Sequence, residues 1–482
     1  MIRALKGNWT IPLICGLFVL VNAVFMANRA YWFNLLPIVL IIVWAMFAAV
    51  DRLLIFIAFA TPLSINLEQL DLGGIGISLP TEPIMVGLTM LFVLKLALER
   101  NLVDPRVWRH PITWVICAQL IWMAVCILPS SIPMVSLKYL LARLWFVTTM
   151  FFMVTRLFED TRNVHRFLWA YICGLSIVVI YTLIRHAQLG FEHDPAHWVM
   201  TPFFKDHTSY GAILAFFLPF SLSAISFPGY SLTRKGVAFV LFALMSVGLF
   251  FSYTRAAWLS LIGALGVFLV LRLRIPAWVL GLILVVGLAV VWFEREQITI
   301  ALERNREESS DDIGEHVKSI SNISSDASNL ERINRWNSAL RMWKERPFFG
   351  WGPGTYMFQY APFQAAEDRT IISTNFGIQG NAHSEYLGPL SEQGVLGMLL
   401  MLGVVVTTVV IVLKLYPRMP VGADRRLLMA TFVGLVTYYL HGGLNNFLDV
   451  DKASVPFWAF TALVVLMDLK YPKVKEGDEV PM

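Results

Sequence analysis

Long uninterrupted apolar runs are the feature that most limits what this chain can become. A run of about 18 or more residues with few charges reads as a membrane-spanning helix. About fourteen candidate spans meet the hydropathy criterion. They centre on residues 11–27, 32–50, 53–67, 82–98, 111–128, 135–155, 165–184, 209–227, 236–252, 256–271, 276–293, 393–413, 427–444 and 453–469. The third is short and contains Pro62. Composition agrees: 57% of residues are hydrophobic and 15% charged, where a soluble domain carries ~25% charged residues. Mean hydropathy is +0.65. No small-residue cleavage site follows the first run, and another run follows at once, so it reads as the first span and not as a leader. The expected fold class is all-α, a polytopic transmembrane helical bundle with one large external loop containing short amphipathic helices.

Basic residues test this topology, because loops rich in Lys and Arg stay on the cytoplasmic side. One set of alternate loops carries Arg3 and Lys6, Arg52, Arg100, Arg106 and Arg109, then Arg156, Arg162 and Arg166. It continues with Arg234 and Lys235, Arg272 and Arg274, Lys414, Arg418, Arg425 and Arg426, and Lys470, Lys473 and Lys475. The other set is poor, with Arg29, Lys205, Arg255 and Lys452. Both termini are therefore expected in the cytoplasm and the long loop, 294–383, outside. The tail 470–482 is short and charged, which predicts disorder. The formal charge of +5 is modest and reads as orientation information, not a nucleic-acid footprint. Cys15, Cys117, Cys126 and Cys173 all lie in apolar runs without a CxxC pair. That argues against a disulfide framework and a zinc site.

Within the loop, residues 306–312 are charged and read as flexible. Ser328 to Glu331 fits a capping box, with Ser at the N-cap and Glu three residues later. The segment after it predicts a helix with Leu330, Ile333, Trp336, Leu340 and Trp343 near one face, stopped by Pro347. Its two indoles suit a helix lying at a membrane surface. The following Pro347-Phe348-Phe349-Gly350-Trp351-Gly352-Pro353-Gly354 has glycines that would let backbone approach a phosphate. It lacks the Gly-Lys-Ser/Thr ending of a nucleotide loop, and a plain turn is the favoured reading.

Ionisable groups near a membrane are costly, so each asks for a reason. Arg255 sits between two spans and reads equally as a snorkelling arginine. Arg332 and Arg335 lie on the amphipathic helix, where a solvated face is the plain alternative. His383, where the loop re-enters an apolar region, can serve as general base or donor near neutral pH, with Glu385 close in sequence. Lys138 and Arg143, at the external end of span 135–155, would suit a lipid diphosphate, against ordinary interfacial anchoring. Lys205 and His207 precede another span on the same side, where an interfacial turn explains them nearly as well. All of these map to one side of the membrane, and converging arginines suit an anionic, phosphate-bearing substrate.

These residues fall in segments that resemble the O-antigen ligase and polymerase superfamily of bacterial membrane glycosyltransferases. Ser252-Tyr253-Thr254-Arg255 is similar to the family's Ser-x-Arg-small motif. Arg332-Ile333-Asn334-Arg335-Trp336-Asn337-Ser338-Ala339-Leu340, followed by Pro347 to Gly352, resembles its Arg, Trp, Ala-Leu, Pro-x-x-Gly-x-Gly run. His383-Ser384-Glu385-Tyr386-Leu387 with Glu392-Gln393-Gly394-Val395-Leu396-Gly397 is similar to its His-Asn/Ser-x-Tyr-Leu and Glu-x-Gly-x-x-Gly pattern. The order of the three and the place of the long loop also match. Ser384 stands where the family often has Asn, and the span count exceeds the family's usual number.

The resemblance implies a ligase-like domain over 236–469, preceded by transmembrane helices over 1–235 and followed by the cytoplasmic tail. It implies a periplasmic-face reaction in the bacterial inner membrane. The donor would be a glycan on undecaprenyl diphosphate. The acceptor would be a hydroxyl of a lipid A core, of a second lipid-linked glycan or of a protein. Neither a metal nor another cofactor is implied. Arg255 and Arg332 would neutralise the leaving diphosphate, and His383 would position or deprotonate the acceptor hydroxyl, with Glu385 as an alternative base. Apart from the resemblance, Arg335, Lys138, Arg143, Lys205 and His207 are expected to bind substrate on their charge and position alone. The competing expectations are a lipid-linked oligosaccharide flippase, for which two similar halves would be the signature, and a non-catalytic assembly scaffold. The site is expected at the seam where the amphipathic helix and His383 meet Arg255.

Overall fold

The computed structural model of the protein describes residues 10–67, 76–99, 102–293, 327–369, 373 and 380–472. The segment 306–312, the rest of 294–326 and the end of the tail lie outside the described residues. Two compact units divide the chain after Leu54. In the first, α1 (Thr10–Ala27) and α2 (Leu36–Ala48) are joined by a short 3₁₀ turn. The ring of Phe33 on that turn stacks on Phe18 and Phe25, with centroids 5.5 and 4.5 Å away.

The second unit, which α3 (Val50–Ala60) enters, runs through α4 (Thr81–Leu98), the short α5 (Pro105–Trp108) and α6 (Pro111–Ile127). Next come α7 (Pro133–Val147), a π-turn over Thr148–Met153 and α8 (Val154–Phe158), followed by α9 (Thr161–Gln188) and α10 (His207–Ile225). After these come α11 (Leu232–Phe250), α12 (Arg255–Arg272) and α13 (Ala277–Phe293). Beyond the undescribed segment are α14 (Ala327–Glu345), the single turn α15 (Tyr356–Gln359), α16 (Leu387–Leu415), α17 (Ala423–His441) and α18 (Asp451–Lys470). Among the described residues, eight helices are long and apolar enough to cross a membrane. The chain is an all-α, polytopic membrane protein. Local rules set the helix ends. Asp160, Asp206 and Ser231 accept amide hydrogens in the first turns of α9, α10 and α11, and Pro105, Pro111 and Pro133 open their helices, where an amide hydrogen has no partner to lose.

The deepest helix is α18, 83% buried against 22% for α11, so α18 forms the axis and α11 faces lipid. Leu259, Ile262 and Leu265 on α12 are likewise exposed, as lipid-facing side chains are in a helical bundle. The helix α10 packs on α11, α12 and α17, and α16 packs on α6 and α14.

Three expectations are corrected. Residues 53–67 are not one helix. The helix ends at Ala60, a 3₁₀ turn holds Pro62, and β1 (Ile65–Asn66) pairs antiparallel with β2 (Ser78–Leu79). Proline removes a backbone donor and stops the helix short. Next, α14 begins at Ala327, so Ser328 lies inside its first turn and not at the cap. Last, α14 buries Glu331, Asn334, Arg335, Ser338, Ala339 and Met342. These recur at helical spacing, whereas Leu340 of the predicted apolar face is exposed.

Much of that buried stripe is paired internally, although Asn334 Oδ1 and Ser338 Oγ find no hydrogen-bond partner among the described residues. Glu331 accepts from Arg335 Nε at 2.6 Å and from the Ser373 hydroxyl. Asn334 donates to Gln364 Oε1 at 2.8 Å, and the Arg335 guanidinium lies 4.0 Å from the Tyr360 ring centre. Ala339 and Met342 close a small core with Tyr356, Tyr360 and Ala382. Buried polar groups are tolerated when paired.

The glycine-rich stretch after α14 clasps α16, and not a ligand. Gly394 breaks α16 with φ 71° and ψ −170°. Trp351 N donates to Ser391 O at 3.0 Å, Gly352 N to Glu392 O at 2.8 Å and Val395 N to Pro347 O at 3.1 Å. A Cβ on Gly350 would lie 2.3 Å from the Glu392 carbonyl carbon, and one on Gly394 would lie 2.1 Å from Phe348 O. Only glycine permits such backbone-on-backbone approach at positive φ.

Candidate active site

One end of the second unit gathers the starts of α10, α12, α16 and α18, the end of α17, and α14. Helix starts carry partial positive charge and favour anions. Two of these starts are tied together: Thr254 Oγ1 donates to His207 O at 2.7 Å, and Gly211 leaves no room for a Cβ against Thr254. Tyr253, at φ 51°, makes the sharp turn that begins α12 at Arg255.

Arg332, on α14, donates Nε to Leu444 O at 3.3 Å. It lies within electrostatic reach of Arg255 and Asp206. Burial and then the Arg255 charge push its guanidinium down to about 10, so it stays charged at neutral pH. Two half-buried guanidinium groups acting on each other form a site that gains from an anion between them. Asp206 caps α10 through Ser209 N at 2.8 Å and takes the Thr208 hydroxyl at 2.6 Å. Burial works to raise its carboxyl, but these hydrogen bonds and the neighbouring His207 hold it below the usual range.

His383 sits at φ 47°, held by its surroundings. Its amide donates to Asn381 Oδ1 at 3.1 Å, and its carbonyl accepts Trp336 Nε1 at 3.2 Å. Its ring Nδ1 meets Asn445 Oδ1 at 3.3 Å, and Asn445 Nδ2 meets His441 Nε2 at 3.1 Å. An amide oxygen only accepts, so this network assigns the His383 proton to Nδ1 and leaves Nε2 with a lone pair. Burial, then the Arg332 charge, pushes His383 down to about 4. The imidazole is neutral at pH 7, as a base or an acceptor must be.

Glu385 faces away from this pair. Its Oε1 accepts Tyr438 Oη at 2.6 Å, Phe447 N at 2.7 Å and Leu448 N at 2.9 Å. Burial pushes its carboxyl up, against the Tyr438 hydrogen bond and the Arg143 charge. It pins the link between α17 and α18, the same link that supplies Leu444 O to Arg332 and Asn445 to His383. Arg143 is buried behind it, with Nη2 3.1 Å from Tyr139 Oη.

The other predicted residues divide. Arg335 is 4% exposed and committed to Glu331 and Tyr360, which fits a role in holding α14. Lys138 is exposed while Arg143 is buried. Five residues apart on a helix, they point to different faces, so they do not form the expected pair. Lys205 is exposed, within electrostatic reach of Asp449. His207 lies within reach of Arg332, Asp206, His193 and His197. Sequence reasoning missed His441 and Asn445, because the span drawn over 427–444 absorbed the first and ended just before the second. The run His441-Gly442-Gly443-Leu444-Asn445-Asn446 was the available signal: too polar for a membrane interior.

The segments assembled here, from the Arg255 turn to the Gly394 clasp, are those of one known family. Residues 240–402 match the O-antigen ligase family model. The chain carries an O-antigen ligase domain. No curated protein matches the chain. The O-antigen ligase domain assigns the protein a glycan-transfer role of the ligase and polymerase kind, acting on lipid-linked glycan and an acceptor.

Proposed function

We propose that this protein is a glycosyltransferase that moves a glycan from a lipid diphosphate, undecaprenyl diphosphate in particular, to an acceptor hydroxyl on the periplasmic face of the bacterial inner membrane. The observation that carries the reading is the placement of Arg332 within electrostatic reach of both Arg255 and His383. Arg255 and Arg332 hold the diphosphate and take up the charge that develops as it leaves. His383 Nε2 accepts the proton of the attacking hydroxyl, and the new glycosidic bond forms at the reducing-end carbon as the carbon–phosphate-oxygen bond breaks. Arg335, Arg143 and Glu385 position these groups from behind, and Lys205 and His207 border the acceptor side.

A wholly apolar cavity of about 560 Å³, lined by Trp122, Pro347, Phe348, Phe349, Val395, Leu396 and Leu399, adjoins the clasp and suits the polyprenyl tail. Domain limits of 236–469 for the transferase part, with 1–235 as supporting helices, fit the same reading. The test mixes purified protein with an undecaprenyl-diphosphate glycan and three acceptors: lipid A core, a second lipid-linked glycan and an acceptor protein. One of the three is expected to gain the glycan. Transport of the donor across vesicles with no product formed would replace the reading with a flippase.

A further inference from the structure

The connection between α9 and α10 carries a side-chain cluster that the transfer chemistry does not use. His193, Asp194 and His197 place one ligand atom each within 4.8 Å of one another. The local backbone explains it. Asp194–His197 is a 3₁₀ turn with His193 at its N-cap. Three residues per turn stack Asp194 and His197 on one edge, and His193 leans over them with its ring centre 4.9 Å from that of His197. His193 Nδ1 lies 3.6 Å from Asp194 Oδ1.

We propose that His193, Asp194 and His197 form a binding site for a divalent transition-metal ion of the zinc class. Two imidazoles and one carboxylate are the donor set of zinc, cobalt, nickel and copper, and not of magnesium or calcium, which take oxygen. Bonds of about 2.0–2.2 Å in a tetrahedron put ligand atoms about 3.3 Å apart, so small side-chain rotations close the cluster. The ring of His197 is already oriented for ligation. Its Nδ1 meets Asp194 O at 3.1 Å, which assigns the proton to Nδ1 and leaves Nε2 to the metal. Three protein ligands leave a fourth position open.

The surroundings give the ion a structural consequence. His207 stands edge-on to His197, with centroids 4.4 Å apart at 89°. The ring of His193 is 5.0 Å from that of Tyr253, and Tyr253 Oη reaches Phe191 O at 3.3 Å. The ion would therefore fasten the exposed α9–α10 connection over the turn that presents Arg255, and add positive charge on the side where Arg255 and Arg332 face the substrate. The metal proposal does not depend on the transfer reading, since metal binding is measured without glycan or lipid.

The full chain, freed of any histidine tag and of metal, is titrated with Co²⁺ in detergent. The visible absorption bands of four-coordinate cobalt report binding, and Zn²⁺ serves as competitor. About one ion per chain is expected to bind tightly and be displaced by zinc. His193→Ala with His197→Ala should weaken binding by about 100-fold or more, Asp194→Asn by about 10-fold or more, and His165→Gln not at all. His197→Cys, which keeps a ligand, should retain zinc and guards against a misfolded double variant. Wild-type protein without the cobalt bands, or an unchanged affinity in the double variant, overturns the proposal.

Discussion

Glu385 separates two explanations of the same motif, a base that takes the acceptor proton and a latch that holds the site together. Its Oε1 receives three donors: Tyr438 Oη, Phe447 N and Leu448 N. Glu385→Gln keeps an acceptor oxygen in place for all three. Glu385→Ala takes the acceptor from the Tyr438 hydroxyl and from Leu448 N, at about 1–3 kcal/mol each or about 2–6 kcal/mol together, while Phe447 N keeps Tyr438 Oη at 3.2 Å. That is a large share of the ~5–15 kcal/mol that holds a typical domain. It also loosens the link that gives Leu444 O to Arg332 and Asn445 to His383. Thermal unfolding in detergent, followed by tryptophan fluorescence, should show a clear fall in Tm for the alanine variant and little change for the glutamine variant. Transfer to a fluorescent acceptor should vanish in Glu385→Ala and stay within about tenfold of wild type, or ~1.4 kcal/mol of barrier, in Glu385→Gln. A general base contributes about 10²–10⁴-fold. A glutamine variant of unchanged Tm that loses about 100-fold or more in rate would refute the latch and make Glu385 the base.

Arg255→Ala, Arg332→Ala and His383→Ala should each lower transfer by about 100-fold or more while the protein stays in the membrane; full activity in two of the three would remove the assignment. Lys138→Ala, on an exposed residue, should leave the rate within about twofold, as an unpaired surface charge does, and a large loss would restore it to the site. The pH profile follows from His383. Its folded value of about 4 lies below the ~6.5 of an unfolded histidine. Its contribution to stability is therefore complete above about pH 6.5 and is lost as pH falls toward 4. On the acid side, kcat/KM should hold to near pH 4, whereas a diphosphate beside Arg332 cancels a charge that depresses the imidazole, so the kcat limb should lie at higher pH; coincident limbs would count against His383 as the base. Gly350→Ala combines a left-handed backbone position, about 1–2 kcal/mol, with overpacking of about 1–3 kcal/mol, and should lower Tm measurably; an unchanged Tm would show that the clasp yields.

How much of this was legible in the sequence depended on whether the signal was local. Apolar runs located the helices, since burial in lipid asks little beyond length and hydropathy. Pro62 already marked the weak third span, but the pairing of Ile65–Asn66 with Ser78–Leu79 is a contact between separated residues and left no local trace. Arg255, Arg332 and His383 were singled out because each lies in a short motif. Arg335 was misjudged for a definite reason. A charged residue on a helix reads as solvated or substrate-facing, and only the fold supplies Glu331, Tyr360 and a glycine at 380 with room for its guanidinium. His441 and Asn445 were overlooked because a hydropathy window averages over the helix end where a site begins.

The clasp at Gly350 and Gly394 makes a lever of two parts that perform different tasks. Phe348 and Phe349, walls of the apolar cavity, are fixed to the kink of α16 by backbone contacts that no side-chain rotation can release. The same short strap continues directly from α14, which carries Arg332. The cavity wall and the helix that carries Arg332 are therefore successive parts of one strap tied to α16. On the proposed reading, a lipid tail in the cavity and a diphosphate at Arg332 would be held at the two ends of the same strap.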